Sequence, residues 1–72
     1  MSETLHTVRA LVAEHADATA DDAPLQLESF VLVVIAEALE ERFGIRVSAR
    51  EMLPANFGSI QRIAEYVEGK RK

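Results

Sequence analysis

The sequence predicts an all-α fold, a small four-helix bundle with three longer helices and one short third helix. Apolar residues recur at steps of three and four along the longer stretches, and residues typical of helix ends separate these stretches. The helices are expected at about residues 3–14, 29–43, 49–53 and 60–68. A chain of 72 residues suffices for one domain with a thin core, so residues 1–72 are expected to form a single domain without a deep catalytic cavity.

The first helix is predicted from one apolar stripe, and Ser2 is its expected N-cap. The stripe consists of Leu5, Val8, Leu11 and Val12. Between His15 and Glu28 the periodicity is lost, and aspartates together with Pro24 supply turn chemistry. We therefore expect a loop that Leu25 and Leu27 attach to the core.

The second helix is predicted over residues 29–43, which contain neither glycine nor proline. Residues 31–35 alone would suit a β-strand, but the length and the charge spacing of the whole stretch favour a helix. At 100° per residue one face carries Leu32, Ile35, Ala36, Leu39 and Phe43. Gly44 has the position of a left-handed residue that ends a helix, and Ile45 follows with the apolar side chain that this motif favours.

Two serines mark the beginnings of the last two helices. Ser48 and Glu51 have the spacing of a capping box, and Pro54 limits the helix that they open to about one turn and a half. A turn at residues 54–58 follows, and Ser59 is the expected cap of the last helix. Its apolar positions are Ile60, Ile63, Ala64 and Val67, and its expected end is Gly69.

The residues around Ser29 resemble the hallmark of the acyl carrier protein family. In that family Asp-Ser-Leu opens the second helix, and Leu-Glu-x-x-Phe-Gly-Ile follows at a fixed interval. The corresponding segments here are Glu28-Ser29-Phe30 and Leu39-Glu40-Glu41-Arg42-Phe43-Gly44-Ile45. The interval of fourteen residues from Ser29 to Phe43 is the family's own. Residues 56–67 are similar to the family's fourth helix and its lead-in.

The resemblance implies that Ser29 carries 4′-phosphopantetheine, transferred from coenzyme A by a phosphopantetheinyl transferase. The start of the second helix also suits a phosphate, because unpaired N–H groups and the positive end of the helix dipole stabilise an anion there. The arm would hold a biosynthetic intermediate as a thioester. An acyl- or aminoacyl-loading enzyme would attach this intermediate, and a downstream synthase or transferase would use it.

The same resemblance indicates a discrete carrier protein that is a substrate of enzymes and not an enzyme itself. The Glu28-Ser29-Phe30 variant of the motif is similar to that of discrete carriers for unusual cargoes. This similarity favours secondary-metabolite biosynthesis of the polyketide or peptide type.

Part of the second helix is expected to form a docking surface for these partner enzymes. Several apolar residues fall outside the core-facing arc, close to two glutamates, and such a mixed patch is typical of an interaction site. The predicted docking surface consists of Glu28, Phe30, Val31, Val34, Glu37 and Glu41, with Ala38 beside it. The alternative is that Val31 and Val34 only widen the core contact under the loop.

A serine enzyme is not expected, because a nucleophilic serine needs a general base within hydrogen-bond reach. Of the two histidines, His6 lies in the first helix beside the apolar stripe and His15 lies at the end of that helix. The aspartates of the loop, Asp17, Asp21 and Asp22, lack the spacing of a calcium loop, so no metal site is expected. Ser29 is therefore interpreted as an acceptor that another protein activates.

Composition narrows the function classes further. The absence of cysteine excludes disulfides and thiolate metal sites and is consistent with the cytoplasm. No segment approaches the ~18 apolar residues that a membrane span requires. The net charge of −4 makes nucleic acid an unexpected partner, and the cationic residues 70–72 are interpreted as a frayed, solvated terminus. We expect a cytoplasmic monomer that binds neither nucleic acid nor membrane.

Three alternatives remain open from the sequence. In the first, Ser29 is merely the N-cap of the second helix. In the second, the chain is a degenerate, carrier-like helical scaffold without the arm, since Glu28 replaces the usual aspartate and Gln26 replaces a frequent glycine. The third is a small helical DNA-binding domain, which the acidic net charge and the lack of a basic recognition helix disfavour.

Overall fold

Four α-helices and one 3-10 turn make up the regular structure of a computed structural model that describes residues 2–16, 20–22, 24–25 and 27–71. The helices are α1 (Ser2–Ala13), α2 (Ser29–Phe43), α3 (Pro54–Phe57) and α4 (Ile60–Arg71), and the 3-10 helix is Ala49–Glu51. No strand is present among the described residues. The predicted all-α class, with three longer helices and one short helix, is confirmed.

The core lies where α4 meets α1 and α2. The predicted stripes of α1 and α4 both face this core and are almost entirely buried; they consist of Val8, Leu11, Val12, Ile60, Ile63, Ala64 and Val67. Leu5 is half-buried at the edge. Full burial of one such aliphatic side chain stabilises the fold by about 1.5–3 kcal/mol, so these stripes fix how the helices pack.

The predicted core face of α2 is confirmed at its centre. Ile35, Ala36 and Leu39 are buried, whereas Leu32 and Phe43 are half-buried and pack against the core from its edges. Gly44 ends the helix as expected, in the left-handed conformation with φ 66° and ψ 36°. Its N–H donates to the Glu40 carbonyl oxygen at 2.9 Å.

The short helix does not lie where the sequence analysis placed it. Residues 49–51 form only a 3-10 turn, and α3 begins at Pro54, within the segment predicted as a turn. Proline suits the first position of a helix, because its fixed φ is helical and the N–H that it lacks has no partner there. The predicted Ser48–Glu51 pair does form: Glu51 Oε1 accepts the Ser48 N–H at 3.2 Å and the Ser48 hydroxyl at 3.0 Å.

The beginning of α4 agrees with the prediction, but its end does not. Ser59 Oγ accepts the N–H of Arg62 at 3.1 Å, which confirms the cap. The helix then continues through Gly69 to Arg71. Lys70 Nζ lies 3.0 Å from Glu51 Oε2, and the Arg71 guanidinium lies over the Phe43 ring at 5.7 Å. These contacts offset the cost of about 1 kcal/mol that a glycine imposes on a helix, so residues 70 and 71 are not a frayed terminus.

The loop between α1 and α2 is attached to the rest of the bundle at several points. Leu25 and Leu27 are half-buried and pack against the core, as predicted. The Leu25 N–H donates to the Gly58 carbonyl oxygen at 2.8 Å, and the Gln61 N–H donates to the Asp21 carbonyl oxygen at 2.8 Å. The loop therefore follows the junction of α3 and α4 before it reaches Ser29.

Some predictions concern residues outside the described part of the chain, namely the loop roles of Asp17 and Gln26 and the tail residue Lys72. Over the described ranges, no helix has both the length and the apolar character that a membrane span requires.

Candidate functional site

Ser29 is the first residue of α2, and its side chain is exposed. The residue before it, Glu28, is the N-cap, with the extended backbone angles φ −71° and ψ 156°. The Leu32 N–H donates to the Glu28 carbonyl oxygen at 2.9 Å, which begins the helical hydrogen-bond pattern. The alternative in which Ser29 is the N-cap is therefore wrong, because the helix begins one residue earlier than that alternative requires.

The start of α2 has unused hydrogen-bond donors. The Glu28 side chain makes no capping hydrogen bond. No described residue accepts a hydrogen bond from the N–H groups of Ser29, Phe30 or Val31. These donors lie at the positive end of a helix of fifteen residues, beside an exposed hydroxyl. This donor set fits a phosphate that is esterified to Ser29.

The Ser29 hydroxyl has no hydrogen-bond partner among the described side chains. His6 is exposed on α1, and its Nδ1 lies 3.3 Å from Arg9 Nη1. His15 is exposed just after the end of α1. Neither histidine makes the hydrogen bond to Ser29 that activates the nucleophile of a serine enzyme.

An apolar cleft lies between the start of α2 and α3. It has a volume of about 120 Å³ and is lined by Leu25, Leu27, Leu32, Met52, Leu53, Pro54, Phe57 and Gly58. Leu27 and Leu32 lie on either side of Ser29 in the sequence. The cleft offers apolar contact, and Ser29 itself is not among the residues that line it.

Most of the predicted docking surface is exposed. Phe30 is 66% exposed and Val34 is 37% exposed. The three glutamates of the surface, Glu28, Glu37 and Glu41, are exposed as well. The apolar residues lie in the first half of α2, next to Ser29, and two of the three carboxylates lie in its second half. An apolar patch that gives way to an acidic one is typical of a surface for transient docking.

Val31 and Ala38 are not part of this exposed surface, contrary to the prediction. Both are half-buried and pack against the core. For Val31 the alternative of a wider core contact is therefore correct, whereas Val34 stays exposed. A helical projection assigned only one narrow face of α2 to the core. The core cluster contacts a wider part of the helix surface, which includes Val31 and Ala38.

Two exposed apolar residues were missed in the sequence analysis. Val33 is 45% exposed and Leu53 is 52% exposed. A signal existed for Val33, since the same helical projection that excludes Phe30 from the core arc also places Val33 outside it. No comparable signal exists for Leu53, because it precedes α3 in a segment without periodicity.

The acidic loop residue Asp21 has a structural role that its interpretation as a turn former did not include. The Arg9 guanidinium donates two hydrogen bonds to its carboxylate, and these hold the pKa of Asp21 below its usual value. Among the described residues, no cluster of three histidine, aspartate or glutamate side chains has the arrangement to hold a metal ion.

Comparison with known families identifies the chain. Residues 6–67 match the profile of the family described as "Phosphopantetheine attachment site". Comparisons with curated proteins and with solved structures give no significant match. The family's members carry a 4′-phosphopantetheine prosthetic group, and the helical bundle and the exposed serine at the start of α2 agree with this cofactor. The chain belongs to the phosphopantetheine attachment site family, in agreement with its resemblance to the acyl carrier proteins.

Proposed function

We propose that Ser29 is the attachment residue and that the protein carries a biosynthetic intermediate, held as a thioester on the arm, to partner enzymes. The observation that supports this proposal most strongly is the local geometry of Ser29. Its hydroxyl is exposed at the first position of α2, beside three N–H groups without a described partner. A phosphate ester at this position is stabilised by the helix and stays accessible to other proteins.

In this proposal Ser29 is an acceptor and the chain itself is not an enzyme. A phosphopantetheinyl transferase removes the proton of the Ser29 hydroxyl, and Oγ forms the phosphate ester while the nucleotide part of coenzyme A leaves. The thiol of the arm then supplies the thioester chemistry, which this chain cannot provide because it has no cysteine. The chain contributes position, charge and a surface for recognition.

The exposed residues of α2 are the proposed contact for the transferase, the loading enzyme and the downstream synthase or transferase. Phe30 and Val34 provide apolar contact next to the arm, and Glu37 and Glu41 provide negative charge farther along the helix. A partner with an apolar centre and a basic rim complements this arrangement. Electrostatic attraction speeds the encounter, and the apolar contact holds the complex.

The proposed cargo is an acyl, aminoacyl or polyketide intermediate of secondary metabolism in the cytoplasm. The support for this class is the Glu28-Ser29-Phe30 variant of the motif, which is similar to that of discrete carriers for unusual cargoes. Loading assays with purified acyl- and aminoacyl-activating ligases separate these cargo types. If only acyl-activating ligases load the protein, an aminoacyl cargo is contradicted. If only aminoacyl-activating ligases load it, an acyl cargo is contradicted.

The proposal is tested by intact-mass measurement of the purified protein before and after incubation with coenzyme A and a broad-specificity transferase. We expect the protein to gain the mass of one phosphopantetheine. A protein that gains no mass with several transferases contradicts the proposal and favours the alternative of a carrier-like scaffold without the arm.

A further inference from the structure

The N-terminus of α2 lacks the side-chain cap that helices of this length commonly have. Serine, threonine, aspartate and asparagine are the effective N-caps, because their short side chains reach the N–H groups of the second and third helical residues. Glutamate is not among them, and the Glu28 side chain makes no capping hydrogen bond. The N–H groups of Phe30 and Val31, at the second and third helical positions, have no acceptor among the described residues.

The starts of α4 and of the 3-10 helix are capped more completely. In α4 the Ser59 hydroxyl oxygen accepts the Arg62 N–H at 3.1 Å, and the Asp21 carbonyl oxygen accepts the Gln61 N–H at 2.8 Å. At the 3-10 helix, Glu51 and Ser48 bond to each other. In contrast to α4, α2 begins without a side-chain cap, and its start is also where the arm is proposed to attach.

We propose that the phosphate on Ser29 completes the cap that Glu28 does not provide, so that attachment of the arm stabilises α2 and the folded protein. This inference rests on the proposed function of Ser29. A phosphate at the start of a helix forms charge-assisted hydrogen bonds with backbone N–H groups and interacts favourably with the helix dipole. Attachment then acts as a structural signal as well as a chemical one, because the modified carrier presents a more rigid docking surface.

Glu28 is the residue that makes this effect large. An aspartate at the same position would compete with the phosphate for the N–H groups of Phe30 and Val31. The unmodified protein would then already be capped, and the arm would add less. The unusual glutamate therefore couples folding stability to modification.

The experiment compares unmodified and modified forms of three proteins: wild type, Glu28→Asp and the control Glu37→Asp. Glu37 is exposed in the middle of the same helix, so its change is chemically identical but does not affect a cap. We expect the arm to raise the melting temperature of the wild type by about 4–8 °C, the shift that one helix cap produces in a domain of this size. The unmodified Glu28→Asp protein should melt higher than the unmodified wild type, and its gain on modification should be less than half as large. The gain in Glu37→Asp should equal that of the wild type.

Amide hydrogen exchange provides a second measurement that is local to the site. In the wild type, exchange at Phe30 and Val31 should slow by at least about fivefold on modification, which corresponds to about 1 kcal/mol. Intact mass is measured on every sample. A wild type that gains no mass overturns the proposed function itself. A wild type that carries the arm on Ser29 but shows unchanged melting and unchanged exchange at these two amides overturns only the capping inference, and so does an equal gain in Glu28→Asp.

Discussion

The Arg9 guanidinium binds the Asp21 carboxylate through two hydrogen bonds, from Nε to Oδ1 at 2.8 Å and from Nη2 to Oδ2 at 2.6 Å. The carbonyl oxygen of the same aspartate accepts the Gln61 N–H at 2.8 Å. One loop residue thus connects α1 with the start of α4. This connection holds Asp21 in place on the path of the loop toward Ser29, the proposed attachment residue.

Replacing Arg9 with Lys should loosen this loop while the bundle stays folded. Lysine keeps the charge but cannot form the paired hydrogen bonds of a guanidinium. We expect amide exchange at Gln61 and Leu25 to become faster, with little change at the core residue Ile63. The control is Arg46→Lys, the same change at an exposed position between α2 and the 3-10 helix. Equal exchange at Gln61 in both variants would show that the Arg9–Asp21 pair does not hold the loop.

Leu39 and Phe43 should differ in how much they stabilise the bundle. Leu39 is completely buried, so Leu39→Ala should lower the free energy of unfolding by about 2–5 kcal/mol. Phe43 is half-buried, so Phe43→Ala should cost less than the Leu39 change. Urea denaturation followed by circular dichroism measures both. A larger loss for Phe43→Ala would mean that the packing of α2 described above is incorrect.

The Glu51–Lys70 ion pair should make the fold sensitive to acid. The hydrogen bond from Lys70, followed by that from the Ser48 backbone, lowers the pKa of Glu51 from 4.5 to about 2. Because the folded protein holds the ionised form more strongly, its stabilisation is complete above pH 4.5 and is lost as the pH falls toward 2.

Glu51→Gln should therefore show a smaller drop in melting temperature between pH 5 and pH 2 than the wild type does. Asp21, whose pKa is also lowered, leaves some acid sensitivity in this variant. The control Glu65→Gln removes an exposed carboxylate of α4 and should behave like the wild type. If the melting temperature of Glu51→Gln falls between pH 5 and pH 2 by as much as that of the wild type, the assigned role of the Glu51–Lys70 pair is contradicted.

The sequence correctly predicted those helix ends that depend on residues within the same turn of the chain. The left-handed residue Gly44 and the cap Ser59 each act within one turn of their own helix, and both were predicted correctly. Pro54 was interpreted as the end of a helix, although proline is also favoured at a helix start, and sequence alone does not separate these two roles.

Features that depend on distant residues were predicted less well. Gly69 does not end α4, because Lys70 pairs with Glu51, a residue of the 3-10 turn. The half-burial of Val31 depends on how much of α2 the core cluster contacts, which a projection of one helix does not contain. For the site, the sequence predicted a serine at the start of α2 beside unpaired N–H groups, and most residues of the predicted docking surface are exposed. It did not predict that the Glu28 side chain makes no capping hydrogen bond, because this depends on where that side chain lies.

The docking surface can be tested through the salt dependence of loading. The double variant Glu37→Lys/Glu41→Lys should slow modification and cargo loading most at low salt, because its defect is electrostatic and is screened over a Debye length of about 8 Å at physiological ionic strength. Val34→Asp should slow them equally at low and high salt, since it removes apolar contact and buries an unpaired carboxylate in the complex.

Matched controls on α1 and at the residue just after its end separate docking from general effects of charge. Glu3→Lys/Glu14→Lys makes the same change in net charge on exposed residues, and Ala10→Asp places a carboxylate on the exposed side of the same helix. Both controls should load at the wild-type rate, and circular dichroism should show all four variants folded. If the α2 variants load normally as well, recognition does not use this surface.

The central claim, that Ser29 accepts the arm, is tested most directly by locating the added mass. Wild type, Ser29→Ala and Ser48→Ala are incubated with coenzyme A and a broad-specificity transferase, and each product is fragmented in the mass spectrometer. Ser48 is another exposed serine, at the edge of the 3-10 turn, so its variant controls for the loss of a hydroxyl. The account predicts one phosphopantetheine on the fragment that contains Ser29 in the wild type and in Ser48→Ala, and none in a folded Ser29→Ala protein. An arm on Ser29→Ala, or on any residue other than Ser29 in the wild type, would contradict it.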